Sequence, residues 1–207
     1  LAPRSELRRI SNWELARALV LDAWDARAVW EFDDRTDIYK IKDDEIRENA
    51  KCVAAVCLGG NLEEKEDEEG YFRLELRSYR TAGGVSKRER FWNQPVFAGK
   101  MCTGFLVKED IIATAAHIAN EENVTSLRIV FGFEMRNART PVTRIHKGDI
   151  YKGVELIKKK YIPKSGEPDW ALVRLDRGVT GRKPAVPATG KLYCGQPVYT
   201  IGHPRGL

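Results

Sequence analysis

His117 follows the apolar run "DIIATAA" and stands behind three small residues, Thr114, Ala115 and Ala116. A histidine becomes a general base when a nucleophile lies at one ring nitrogen and a carboxylate orients the other. The best carboxylate for that purpose is Asp169 in "GEPDWALVRLDR", at the mouth of the apolar run Trp170-Ala171-Leu172-Val173. A strand starting there would hold the carboxylate in a fixed place, and an imidazole N–H would keep it hydrogen-bonded and ionised. His117 and Asp169 are therefore the candidate catalytic pair, and proton transfer is the chemistry they could perform.

Other titratable residues compete less well. Asp176 in "RLDRG" and Asp149 in "KGDIYKG" have a turn context, and Asp149 lacks the Ala-Leu pair that follows Asp169. His146 and His203 have no Cys, His or carboxylate at metal-ligand spacing, so both are expected as exposed loop histidines. Cys52, Cys57, Cys102 and Cys194 form no C-x-x-C pair, which argues against zinc and for buried free thiols. No cofactor or metal is expected.

Many short elements would have to position the pair. "KCVAAVCL" (51–58) is a continuous apolar run, and "YFRLELRSYRT" (71–81) alternates apolar and charged residues as a half-buried strand does. "CTGFLV", "DIIATAA", "SLRIVFGF", "GVELIKK", "DWALVRL" and "PVYTIG" follow, separated by Gly, Pro and charged turns. This pattern predicts an all-β sandwich or barrel, with "IANEEN" after His117 forming a short helical turn. Between the first two runs, "NLEEKEDEEG" (61–70) is expected as an exposed loop without the Asp and Gly spacing of a calcium loop. Residues 5–31 carry Leu7, Ile10, Trp13, Leu15, Leu19 and Trp24 at helical spacings, with an S-x-x-E capping box at Ser11 and Glu14.

The chain has 207 residues, 43% hydrophobic and 31% charged, with a net charge of +5. That is an ordinary globular balance, and no apolar run reaches the ~18 residues a membrane helix needs. The basic residues are scattered among acidic blocks, which argues against a nucleic-acid face. The opening Leu-Ala-Pro-Arg shows no basic-then-apolar leader, so a processed product or fragment is expected and the compartment stays open.

"CTGFLVKEDIIATAAHI" resembles the histidine motif of trypsin-like serine proteases, and "DWALVRL" resembles their aspartate motif. "GQPVYTIGHPRGL" (195–207) is similar to the opening strand of the second barrel in bacterial glutamyl-endopeptidase-like and HtrA-like members, and "DDRTDIYKI" (33–41) to a segment before the first barrel. The resemblance implies a chymotrypsin-like double β-barrel. It would consist of a helical N-terminal extension (1–36), a first barrel with its lead-in (37–189) and the beginning of a second barrel (190–207). It implies peptide-bond hydrolysis of a protein or peptide substrate, with His117 as general base and Asp169 orienting it. The family's serine motif, Gly-x-Ser-Gly, is absent from the 207 residues. The serine is accordingly expected in a further C-terminal portion of the protease domain, since Cys194 stands at a strand start that suits a structural thiol. In animal trypsins a cysteine follows the histidine and pairs with the one opening the motif. Ile118 takes that place here, which implies a bacterial-type member. Two alternatives are an inactive protease-like binding module and a protease restrained by a regulatory protein docked on the N-terminal helices.

Overall fold

The computed structural model describes residues 33–62, 67–83, 89–99, 101–163, 166–191 and 193–207. The helices expected over residues 5–31 lie outside the described residues. Two compact units are distinguished, one of residues 1–35 and 162–168, the other of residues 36–161 and 169–207. In the first, Arg35 grips Asp33 with two guanidinium N–H bonds of 2.9 and 2.8 Å, and the amide of Ile162 donates to the Pro168 carbonyl.

The second unit is built on a closed six-stranded antiparallel barrel. Its strands are β1 (Val53–Leu58), β5 (Met101–Lys108), β6 (Ile111–Thr114), β7 (Leu127–Phe131), β11 (Ile150–Tyr161) and β12 (Asp169–Leu175). Around the barrel the order is β1-β5-β6-β12-β11-β7, and β7 closes on β1. Short strands lie outside it: β2 (Tyr71–Arg73) pairs with β10 (Arg144–His146), β3 (Leu76–Ser78) with β4 (Pro95–Phe97), and β8 (Met135–Asn137) with β9 (Thr140–Pro141). A capped helix, α1 (Asp44–Ala50), leads into β1; its N-cap Asp43 accepts from the amides of Glu45 and Ile46. A second short helix, α2 (Tyr79–Gly83), follows β3.

Side chains on alternate positions fill the barrel. Ala54, Val56, Leu106, Ile112, Leu127, Ile129, Phe131, Ala171, Val173 and Leu175 belong to one buried cluster. Ala55 and Cys57, the intervening residues of β1, enter a second cluster outside the barrel with Leu62, Leu74, Phe97, Val130 and Ile145. Both faces of β1 are thus buried, which explains why its sequence is continuously apolar where β12 alternates. Gly104 faces the interior where no side chain fits. A Cβ there would lie 2.7 Å from Ile112 Cδ1 and 2.8 Å from Val56 Cγ2.

Several expectations need correction. "YFRLELRSYRT" is not one strand: Leu74 makes an isolated bridge to Leu62 between β2 and β3, and the tail turns into α2. "PVYTIG" forms no ladder; residues 196–201 are irregular, and Val198 and Tyr199 are exposed. A strand gains its hydrogen bonds only from a neighbour, and none pairs with this segment among the described residues. Cys52 and Cys57 are buried thiols as expected, but Cys102 is half-buried and Cys194 exposed, next to the left-handed Gly195 rather than on a strand. His146 is exposed but ends β10, with its ring edge-on to Tyr71. His203 is half-buried against Phe133 and is no surface histidine.

Candidate functional site

The register of three strands decides where His117 and Asp169 go. On β6, Thr114 pairs with Gly104 of β5 on one side and with Ala171 of β12 on the other. The strands run antiparallel, so the chain leaving Thr114 and the chain arriving at Ala171 occupy the same end of the barrel. His117 lies three residues past the one and Asp169 two residues before the other. Separation in sequence is cancelled by pairing.

The contact is direct. His117 Nδ1 is 2.5 Å from Asp169 Oδ2, and the backbone N–H of His117 donates to Asp169 Oδ1 at 3.0 Å. Both carboxylate oxygens are therefore occupied by one residue. A carboxylate only accepts, so Nδ1 carries the proton and the lone pair of the neutral ring is left on Nε2. The His117 side chain is 49% exposed, so the ring is open to an incoming group while its partner holds it.

Partial burial pushes the Asp169 carboxyl upward. The His117 side chain, the His117 amide, the imidazole charge and the Ala116 amide outweigh that, and its pKa lies below the ordinary Asp range. The carboxylate is thus ionised at neutral pH and can stabilise an imidazolium as it forms.

The turn that presents the ring has its own supports. The amides of Ile118 and Ala119 both donate to the Ala115 carbonyl, and Ala116 and Ala119 are buried beneath the turn. Asn120 Oδ1 accepts from the amides of Glu122 and Asn123, while Asn123 Oδ1 accepts from the Asn120 amide. Asn123 Nδ2 also donates to the Ile118 carbonyl at 2.8 Å. These reciprocal Asn contacts brace the single turn expected for "IANEEN", which the Val124 amide closes on the Asn120 carbonyl at 3.0 Å and which runs into a 3-10 turn at Val124–Ser126.

Thr103 is a support that motif reading missed. Its carbonyl accepts from Thr114 Oγ1 at 3.0 Å and its Oγ1 accepts from the His203 amide at 2.8 Å. Gly202 presses on it so closely that a Cβ would sit 2.9 Å from Thr103 Oγ1. His203 Nδ1–H in turn donates to the Leu207 carbonyl at 3.1 Å. Burial depresses the His203 pKa, partly offset by that carbonyl, so its ring is neutral near pH 7. His203 shares Thr103 with the site but forms no contact with the His117–Asp169 pair.

The competing acids are used elsewhere. Asp176 accepts from the Lys152 amide and pairs with Arg177, and Asp149 pairs with Arg182. His146 Nδ1 accepts from the Gly148 amide. Among the described residues no group of three or more His, Cys, Asp and Glu is arranged to hold a metal ion.

The trypsin family model matches residues 81–205, which span both His117 and Asp169. The chain belongs to the trypsin family, the serine proteases of chymotrypsin fold. No curated protein matches it. No helix among the described residues is long and apolar enough to cross a membrane.

Proposed function

We propose that the protein is a serine endopeptidase in which His117 is the general base and Asp169 orients it. The observation that carries this reading is the double contact between the two residues, which fixes the tautomer and leaves Nε2 free. In the reaction a serine Oγ attacks the scissile carbonyl carbon and passes its proton to His117 Nε2. The imidazolium, stabilised by Asp169, gives that proton to the leaving amine. Water, activated by the same nitrogen, then hydrolyses the acyl-enzyme.

The serine belongs, on this reading, to polypeptide outside the 207 residues, because the family's Gly-x-Ser-Gly motif does not occur within them. Residues 190–207 begin the second barrel. Tyr193, Val198 and Tyr199 are 68%, 80% and 53% exposed, as apolar side chains awaiting a partner sheet would be. Ile118 in place of the usual cysteine, with Cys102 a free thiol, supports the bacterial type.

The test is labelling of the full-length gene product with a fluorophosphonate, followed by intact mass. One adduct on a serine, abolished by His117→Ala in a folded protein, is the expected result. No adduct on folded full-length protein sinks the hydrolase reading and favours an inactive binding module.

A further inference from the structure

β11 is longer than its neighbour. β7 pairs with it only from Ile150 to Lys152, whereas β12 follows it to Tyr161. The ladder to β7 stops because the 3-10 turn before β7 crowds it: a Cβ on Gly153 would lie 2.4 Å from the Val124 carbonyl oxygen. Beyond that point, among the described residues, the side of β11 away from β12 has no backbone partner. The irregularities of β11 end at Lys158, so Lys158 to Tyr161 form a regular exposed edge paired behind with Leu172 to Asp169.

The side chains on that edge carry one sign. Lys158 pairs with Leu172 and Lys160 with Trp170, so both point to the outer face, and neither has an ion-pair partner among the described residues. Lys159 points the other way, and Glu121 of the same chain already holds it. Nearby Glu155 is taken by Arg174. Lysines on an open edge repel a second lysine-bearing edge, which excludes self-pairing of two such strands. They select instead an extended segment whose acidic side chains fall two residues apart, the spacing of one strand face.

We propose that the Lys158–Tyr161 edge of β11 is a docking site for an extended acidic polypeptide segment, added as a further strand. Its carboxylates at positions i and i+2 meet Lys158 and Lys160. Its backbone takes the open hydrogen bonds of the edge. Tyr161 pairs with Asp169 on its other side, so the bound segment ends level with the His117–Asp169 pair, two strand spacings or about 10 Å away. The inference does not depend on the hydrolase reading, because binding is measured without turnover.

Full-length protein is titrated into fluorescein-labelled Thr-Glu-Val-Glu-Thr, with anisotropy as readout. Two analogues accompany it, one with the Glu residues replaced by Lys and one N-methylated along one edge. Expected are a Kd of about 100 μM or tighter for the parent and at least about tenfold weaker binding for each analogue. The double variant Lys158→Glu/Lys160→Glu, unchanged in thermal midpoint, should lose binding by a similar factor. Equal binding of the N-methylated peptide would reduce the effect to charge attraction and overturn strand addition. Undiminished binding by the double variant, or no binding of the parent peptide, overturns the site.

Discussion

Thr114 of β6 lies opposite Ala171 of β12, and this one pairing brings an imidazole and a carboxylate 52 residues apart into hydrogen-bond contact. The barrel interior fixes the register, because a slip by one residue would turn Ala171 and Val173 out of the core. The geometry of the candidate dyad is thus a consequence of packing by the interior residues of β6 and β12, which take no part in the chemistry themselves.

Asp169→Asn isolates the tautomer. An amide at this position can present an N–H to Nδ1, and the proton then moves to Nε2, where it blocks the base. The expected loss in kcat of the full-length protein is about 10⁴-fold, measured on a chromogenic peptide. KM should change little, since the residue orients the base and not the substrate. The same variant reports on pH. The folded pKa of Asp169 is depressed, so its contribution to stability is present above the unfolded value of about 3.9 and disappears as pH falls through the folded value. Thermal midpoints of wild type and Asp169→Asn should therefore differ near neutral pH and converge in acid. A gap that persists undiminished at low pH would contradict the assignment.

Gly104→Ala places a methyl group in the barrel interior. The first clashes are with Ile112 Cδ1 and Val56 Cγ2. Overpacking of this kind costs about 1–3 kcal/mol. Ile112→Val removes the nearer methyl, so the double variant should be more stable than the sum of its parts. Denaturant midpoints for the four proteins of the cycle decide it, and simple additivity would count against the contact.

The His117–Asp169 contact and the barrel are more legible in the sequence than the supports around them. "DWALVRL" and "DIIATAA" carry their strand character in their own apolar positions, so β12 and β6 were legible, and with them the two residues they present. Thr103 was not. Its role depends on a carbonyl facing Thr114 and a hydroxyl facing His203, a hundred residues away, and nothing in "CTG" encodes either partner. The turn in "IANEEN" is legible as a turn, but the reciprocal Asn120–Asn123 bonds that brace it are side-chain contacts no pattern of apolar positions encodes. The half-buried place of His203 is not legible either, because it comes from Phe133, seventy residues away, and from the Leu207 carbonyl rather than from adjacent apolar positions.

Thr103→Val keeps the shape of the side chain and removes its acceptor. The His203 amide loses its partner at a half-buried position, at a cost of about 1–3 kcal/mol. Thr103→Ser restores the hydroxyl and should recover most of that. Hydrogen exchange at the His203 amide is the direct readout: faster in Thr103→Val, close to wild type in Thr103→Ser. Equal protection in all three proteins would show that the bond does not hold the 202–207 turn.

The cysteines should separate by reactivity, because the thiolate is the nucleophile and burial suppresses it. Cys57 is buried in the cluster outside the barrel, and desolvation pushes its thiol up to about 12, opposed by the charge of Arg128. Burial also raises Cys52, partly offset by backbone hydrogen bonds. Cys194 is exposed beside a turn. Iodoacetamide at neutral pH should alkylate Cys194 first in the folded protein, with Cys57 protected until the barrel unfolds. Mass mapping at increasing denaturant would therefore show Cys57 labelling rising with the global transition. Early labelling of Cys57 under native conditions would mean that the outer cluster over β1 opens locally, and its burial with Leu62, Leu74 and Ile145 would no longer describe the protein in solution.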